Sequence, residues 1–163
     1  MSGTLGDKPP QGLGRAFSRF PLWFYRLHLG CLLGERFLRL THTGRNSGLE
    51  RETVLEVVRH DALTDSYVIA SGWGEKSNWF QNILKTPRVL ISMGFRRNLP
   101  ALAVRLSEQG AQSELKDYAR RHPRAFRILA SRILGSPTGE TDVDSLLLAR
   151  HIPIIVLQTL GKQ

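Results

Sequence analysis

Apolar and polar positions alternate along several short stretches of the chain, which predicts β-strands. The alternation runs through residues 36–43, RFLRLTHT, and 51–59, RETVLEVVR, and both stretches contain β-branched residues. Further short apolar stretches are SYVIAS, RVLISM, LPALAVRL and, near the end of the chain, HIPIIVL. Strands follow strands here, separated by turn residues, so a parallel Rossmann sheet is disfavoured and about six strands are predicted to form a small antiparallel barrel with appended helices.

An amphipathic helix is predicted at about residues 15–34. Basic residues recur at helical intervals among aromatic ones in RAFSRFPLWFYRLHLGCLL, and Pro21 suits the first turn of a helix. Such a helix can lie on a membrane surface or pack on its own domain, and the sequence leaves both interpretations open. Residues 1–14 are rich in Gly and Pro and are predicted to form a flexible N-terminal tail.

Two more helical regions are predicted between the strands. Ser77 suits the N-cap of a short helix that continues to about Lys85, and Pro87 stops its continuation. Ser107 begins a longer helical region, about residues 107–135, in which a second helix follows Pro123. Residues 15–163 are therefore predicted to form a single domain with a helical insertion before the last strand.

The composition adds a strong positive charge to this picture. The 163 residues include 23 Lys+Arg and 14 Asp+Glu, a formal net charge of +9, which favours an anionic partner such as a phosphorylated small molecule, a nucleic acid or an acidic membrane. The one cysteine, Cys31, excludes an intrachain disulfide and a multi-cysteine metal site. Because no secretory signal is recognisable and the longest apolar stretch is too short to span a bilayer, a cytoplasmic location is predicted.

A glycine-rich turn between the first two predicted strands has the composition of an anion-binding site. Gly44 and Gly48 permit positive φ angles and a close approach of the backbone to a ligand. Exposed backbone N–H groups and the Ser47 hydroxyl can form an anion-binding concavity, and the planar guanidinium of Arg45 suits a phosphate or carboxylate. Arg51 lies just beyond the turn. An ordinary hairpin with solvated arginines explains the same pattern equally well.

A second stretch, IASGWGEKSNWFQNI, favours the interpretation as a binding site. Its small residues Ala70, Ser71 and Gly72 end a predicted strand and leave space for a flat ring. The helix that starts at Ser77 supplies unpaired N–H donors and a positive partial charge at its N-terminus. Trp79 lies on the first turn of this helix and can form a wall of the cavity, although packing in the core is the alternative.

Together these segments resemble the deazaflavin-dependent nitroreductase family, split-barrel proteins that use coenzyme F420. The resemblance depends on Thr41 or Thr43 followed by GRNSGLER, then ASG, then WFQNILKTPRV, in this order, and RHIPIIVL resembles the last strand of the family. It implies a mainly β (α+β) fold with appended helices, in which six antiparallel strands form a split, FMN-binding-like β-barrel. The implied cofactor is F420, with FMN as the alternative.

The resemblance also implies which residues bind the cofactor. The basic turn would hold its phosphate and oligoglutamate tail, the following strand would run beside its ring, and the second segment would close the other side. The implied residues are Gly44, Arg45, Asn46, Ser47, Gly48 and Arg51 in the turn, Thr53, Val54 and Leu55 in the strand, and Ala70, Ser71, Gly72, Lys76, Ser77, Asn78, Trp79 and Asn82 opposite.

The implied activity is that of a deazaflavin-dependent reductase of the nitroreductase or quinone-reductase type. It would transfer a hydride from reduced F420 to a small acceptor such as a quinone, an enone or a nitro compound. Ser71 is the candidate catalytic residue, since its hydroxyl can hydrogen-bond the acceptor or assist its protonation; a structural hydroxyl is the alternative. A homodimer and a peripheral membrane contact through residues 15–34 are further expectations.

Two other classes of function compete with this interpretation. One is a non-catalytic protein that binds or stores F420 or FMN. The other is a nucleic-acid-binding module built on the basic residues Lys116, Arg120, Arg121, Arg124, Arg127 and Arg132, for which a solvated helix face is the favoured interpretation. The five histidines are scattered and no spacing typical of a metal site or a catalytic triad occurs, so neither a metal centre nor a hydrolase is predicted.

Overall fold

A computed structural model describes residues 36–161, which form six strands and four α-helices. The predicted tail at residues 1–14, the predicted helix at 15–34 and Cys31 lie outside the described residues. In chain order the elements are β1 (Phe37–Thr43), β2 (Glu50–Asp61), β3 (Ser66–Ala70), a 3₁₀ turn (Gly74–Lys76), α1 (Asn78–Lys85), β4 (Arg88–Met93), β5 (Arg96–Arg105), α2 (Glu108–Arg121), α3 (Pro123–Leu134), α4 (Thr141–His151) and β6 (Ile154–Thr159).

The six strands form a closed antiparallel barrel in the order β1-β2-β3-β6-β5-β4. Hairpins join β1 to β2, β2 to β3 and β4 to β5, and the pairing of β1 with β4 closes the barrel. The last strand, β6, lies between β3 and β5. The predicted six-stranded antiparallel barrel is confirmed.

Two apolar clusters hold the barrel and its helices together. Alternate residues of each strand point inward, as Leu38 and Leu40 do in β1, and α1 adds Phe80 and Ile83 to this interior. The second cluster lies outside the barrel, where α2, α3 and α4 cover outward-facing side chains of β3 and β6 such as Val68. Full burial of such a side chain stabilises the fold by about 1.5–3 kcal/mol.

The helical region before β6 is longer than the sequence indicates. Helices α2 and α3 occupy the predicted residues, and Ser107 is the N-cap of α2, accepting a hydrogen bond from Gly110 N at 3.2 Å. Helix α4 is not among the predicted elements. Its inward-facing positions include the buried polar residues Asp144 and Ser145, so its sequence lacks a clear apolar stripe. No helix among the described residues is long and apolar enough to cross a lipid bilayer.

At the end of the barrel that carries the β2–β3 and β4–β5 turns, Asp65 links three strands. Its carboxylate accepts two hydrogen bonds from the Arg96 guanidinium, both at 2.6 Å, and one from Thr159 Oγ1 at 2.9 Å. Arg96 also donates to the hydroxyl of the buried Tyr67 at 2.6 Å. These bonds, above all those from Arg96, hold the pKa of Asp65 well below its usual value of 3.8.

The substitution Asp65→Asn is expected to lower the free energy of unfolding by about 1–2 kcal/mol at neutral pH, because Arg96 loses its charged, bidentate partner at a partly solvated site. Asn tolerates the positive φ angle of 45° at this position, so no backbone strain is added. Urea denaturation measures the difference. Since the pKa of Asp65 is lowered by folding, its contribution is complete above the unfolded pKa near 3.8 and is lost as the pH falls below it.

The matched control for this prediction is Asp142→Asn, which removes an exposed carboxylate paired with Lys116 at 2.8 Å. It is expected to change the free energy of unfolding by less than about 0.5 kcal/mol. Equal destabilisation by both substitutions would contradict the stabilising role of the Asp65 carboxylate. So would a difference in the free energy of unfolding between wild type and Asp65→Asn that is the same at pH 3 as at neutral pH.

Candidate functional site

Among residues 36–161, one edge of β2 is open over the first half of the strand. Residues 50–56 of β2 pair with β1, whereas β3 pairs with β2 only from Val57 to Asp61. Residues 50–56 therefore have a strand neighbour on one side only among residues 36–161. Thr53, Val54 and Leu55, which were predicted to run beside a cofactor ring, lie on this half-buried segment. Backbone groups along such an edge can hydrogen-bond a flat ligand.

The turn between β1 and β2 requires its glycines. Gly44 N donates to Leu49 O at 2.8 Å, and Gly48 N donates to Gly44 O at 2.8 Å. A Cβ on Gly44 would lie 2.7 Å from Ser47 Oγ, and Gly48 has a φ of +68°, so neither position accommodates a larger residue without strain. Asn46 and Ser47 are exposed, and Ser47 Oγ accepts a hydrogen bond from Leu49 N at 3.3 Å.

Helix α1 holds this turn through Arg45. The Arg45 backbone N–H donates to Asn82 Oδ1 at 3.0 Å, and Lys85 Nζ donates to Arg45 O at 2.8 Å. The Arg45 guanidinium reaches Asn82 Oδ1 at 3.2 Å and Asn78 Oδ1 at 3.3 Å. The structure thus brings together three residues that the resemblance implied, Arg45, Asn78 and Asn82, and adds Lys85, which it did not.

A buried histidine lies beneath this arrangement. His42 points into the barrel and its Nδ1 lies 3.1 Å from Asn82 Nδ2; both residues are 5% exposed. Burial, and then the charge of the cross-strand neighbour Arg51, lower the pKa of His42 to about 4. In the sequence, His42 is one of five scattered histidines and is not among the predicted site residues. Its inward position in the alternation of β1, two residues before Gly44, was the signal that could have identified it.

The site is electropositive and its donors suit a polyanion. Among residues 36–161, the side chains of Arg45, Arg51 and Lys85 form no ion pair with a carboxylate, whereas Arg59 and Arg96 do so elsewhere. An arginine has five N–H donors, and the Nε–H and one Nη2–H of Arg45 have no partner in this part of the chain. These donors and the open edge of β2 fit a flat cofactor that carries a phosphate and carboxylates.

The basic turn and the edge of β2 form one wall of the site, and a tight turn around Ser71 forms the second wall. This side chain is fully buried, and its hydroxyl donates to Gly74 O at 2.7 Å and lies 2.8 Å from Ser77 Oγ. Ser77 is at the N-cap position of α1, as predicted, but its hydroxyl contacts Ser71 and caps no N–H of the helix. Gly74 has a φ of +65° and would place a Cβ 3.1 Å from His151 O. This geometry supports a structural hydroxyl at Ser71.

The remaining predicted residues surround this wall. Ala70 is half-buried at the end of β3, and Gly72 and Lys76 are exposed. Trp79 is half-buried and packs against the barrel interior, with its ring edge-on to Phe80 at a centroid distance of 6.1 Å. Residues 36–161 contain no group of three or more His, Cys, Asp or Glu side chains arranged to hold a metal ion.

The substitution Ser71→Ala is expected to lower the free energy of unfolding by about 1–3 kcal/mol, because Gly74 O and the Ser77 hydroxyl lose a buried partner. Turnover in the predicted reductase reaction, per folded molecule, is expected to change less than about twofold. Chemical denaturation and steady-state assays check the two effects, with the exposed Ser131→Ala as the control. A fall in turnover of tenfold or more at unchanged stability would instead support the catalytic role predicted for Ser71.

Comparisons with known proteins agree with this architecture. The family of F420H2-dependent quinone reductases matches residues 18–133. No curated protein is significantly similar to this chain in sequence. Among solved structures, a protein of unknown function from Agrobacterium tumefaciens is 15% identical with a TM-score of 0.53, and the match covers 86% of this chain but only 56% of that protein.

Two further solved structures are similar. A pyridoxamine 5′-phosphate oxidase-related, FMN-binding protein from Nostoc punctiforme is 15% identical with a TM-score of 0.53, over 91% of this chain and 81% of that one. An F420-H2 dependent reductase is 22% identical with a TM-score of 0.45, over 77% of this chain and 96% of that one. At these identities the likeness to the Nostoc protein shows the fold, which is the predicted split barrel.

Proposed function

Because this chain belongs to the F420H2-dependent quinone reductase family, we propose that it transfers a hydride from reduced F420 to a small quinone-type acceptor. The family match confirms the predicted relationship to deazaflavin-dependent oxidoreductases and F420 as the cofactor. The acceptor class is part of the proposal. Cytoplasmic location, a homodimer, a single domain over residues 15–163 and a membrane contact through residues 15–34 stay predictions.

The observation that supports this function most strongly is the cationic turn fixed against α1 beside the open edge of β2. Arg45, Arg51 and Lys85 would bind the phosphate and carboxylates, and the backbone of residues 53–55 would orient the ring. When bound, reduced F420 supplies the hydride. The protein would contribute binding, orientation and electrostatics, since no nucleophile is required of it.

A quinone is favoured over a nitro compound by the second wall of the site. Gly72 is exposed and has no side chain, so this position adds no cation beside a nitro group. Its neighbour Trp73 is 59% exposed and gives the same loop an aromatic surface, which suits a flat apolar acceptor.

The experiment is a fluorescence titration of the protein with F420 and, separately, with FMN, followed by stopped-flow oxidation of reduced F420. We expect micromolar or tighter binding of F420, weaker binding of FMN, and faster oxidation with menadione than with a nitroimidazole. F420 binding without oxidation by any acceptor would instead indicate a storage protein. Tighter binding of FMN than of F420 would contradict the assigned cofactor.

A further inference from the structure

Asn82 lies buried between the basic turn and the barrel interior, and each end of its amide has its own partner. Its Oδ1 accepts from the Arg45 backbone N–H at 3.0 Å and from the Arg45 guanidinium at 3.2 Å, while its Nδ2 lies 3.1 Å from His42 Nδ1. A backbone N–H can only donate, so Oδ1 must face Arg45. The Nδ2 donor therefore faces His42.

The fold places His42 so that its Nδ1 accepts the hydrogen bond from Asn82 Nδ2. The alternation of β1 directs its side chain inward, directly across from Arg51 on β2. Its lowered pKa, about 4, keeps the imidazole neutral near pH 7. Because Nδ1 accepts from Asn82, the single ring proton is on Nε2. The link from His42 through Asn82 to Arg45 thus joins a strand, a helix and a turn with matched donors and acceptors.

We propose that His42 and Asn82 are positioning residues for cofactor binding: His42 orients the Asn82 amide, and Asn82 holds Arg45 where it receives an anionic group of F420. Asn82, which the family resemblance implied as a cofactor contact, has both ends of its amide occupied and is 5% exposed. It acts through Arg45 and need not touch the cofactor. The inference rests on the proposed role of Arg45 in anion binding.

The test compares His42→Leu, which removes the acceptor, with His42→Asn, whose Oδ1 can take the place of Nδ1. For His42→Leu we expect hydrogen exchange of the Arg45 amide, followed by NMR, to become at least tenfold faster. The Kd for F420 is expected to rise about tenfold, with turnover at saturating F420 changed less than twofold. His42→Asn is expected to restore both values to within about threefold.

Leu40→Val is the control, because Leu40 is a fully buried residue on the same face of β1 whose apolar side chain cannot hydrogen-bond the Asn82 amide. It is expected to destabilise the barrel without changing Arg45 exchange or F420 affinity. Unchanged Arg45 exchange in His42→Leu would overturn the inference and leave the proposed function standing. Faster exchange with unchanged F420 affinity would also overturn the inference, because cofactor binding would then not depend on how the Arg45 backbone is held; the anion-binding role of Arg45 itself is tested by Arg45→Ala.

A second variant keeps the test decisive if His42→Leu does not fold. Asn82→Asp retains the acceptor toward Arg45 but replaces the Nδ2 donor by an oxygen facing His42 Nδ1. We expect the Arg45 amide to stay protected and the pKa of His42, measured by NMR titration, to rise by one unit or more, because the ring can then donate to a carboxylate. An unchanged pKa of His42 would show that the side chain of residue 82 does not contact the imidazole, and would overturn the inference.

Discussion

Arg45→Ala is expected to raise the Kd for F420 about 100-fold. Two N–H donors of the guanidinium have no partner among residues 36–161, and a hydrogen bond to a charged group contributes about 1.5–3 kcal/mol. At the lower end of this range, two such bonds contribute about 3 kcal/mol, which corresponds to roughly 100-fold in affinity at about 1.4 kcal/mol per tenfold. The loss is expected to be larger at low ionic strength, because salt screens the attraction between Arg45 and the anionic cofactor. Fluorescence titration at two salt concentrations measures both effects.

Two variants make this prediction specific. Arg45→Lys keeps the charge but loses the planar fork that contacts Asn78 and Asn82, so an intermediate loss of affinity is expected. Arg124→Ala removes the same charge from an exposed position on α3 and is expected to change the Kd less than twofold. Equal losses in Arg45→Ala and Arg124→Ala would show that only the net charge of the protein matters.

Phe80→Ala is expected to lower the free energy of unfolding by about 3–5 kcal/mol, the largest effect on stability that we predict. Phe80 is fully buried in the barrel interior and is the main apolar anchor of α1. Its ring also lies 5.5 Å from the Arg105 guanidinium, a cation–π distance. Since α1 carries Asn78, Asn82 and Lys85, loosening it is also expected to weaken F420 binding. Urea denaturation followed by circular dichroism measures the stability.

The same helix provides the matched control. Leu84→Ala removes an apolar side chain that lies one turn further along α1 and is 49% exposed, and it is expected to cost less than about 1 kcal/mol. An equal loss of stability in both variants would mean that Phe80 does not anchor α1 to the barrel. The denaturant dependence should be the same in both variants, because neither changes the surface exposed on unfolding by much.

Local sequence determined the strands, the turn and the first helix of the site. Side chains of a strand point alternately to the two faces, so a barrel with an apolar interior imposes an alternation that is visible in RFLRLTHT without any knowledge of the partner strands. The two glycines of the turn, Gly44 and Gly48, and Ser77 at the start of α1 are recognisable in the same way, because each meets a local requirement of the backbone.

The tertiary structure decided what these residues do. The burial of Ser71 against Ser77 and the anchoring of Arg45 by Asn82 and Lys85 depend on how α1 packs against the barrel interior. Helix α4 was not predicted because a buried position of this helix holds a carboxylate, that of Asp144. The backbone N–H groups of Thr138 and Gly139 in the preceding loop donate to this carboxylate, and the sequence alone shows only a residue type that is usually exposed.

The open edge of β2 depends on the short extent of β3, and the role of His42 depends on a helix forty residues away. Sequence alone therefore established which residues belong to strands, to the basic turn between β1 and β2 and to helix α1, because those properties arise from periodicity and local backbone conformation. Which polar groups are free to bind a cofactor and which hold the site together was decided only by long-range packing, because a hydrogen bond between distant residues leaves no local pattern in the chain.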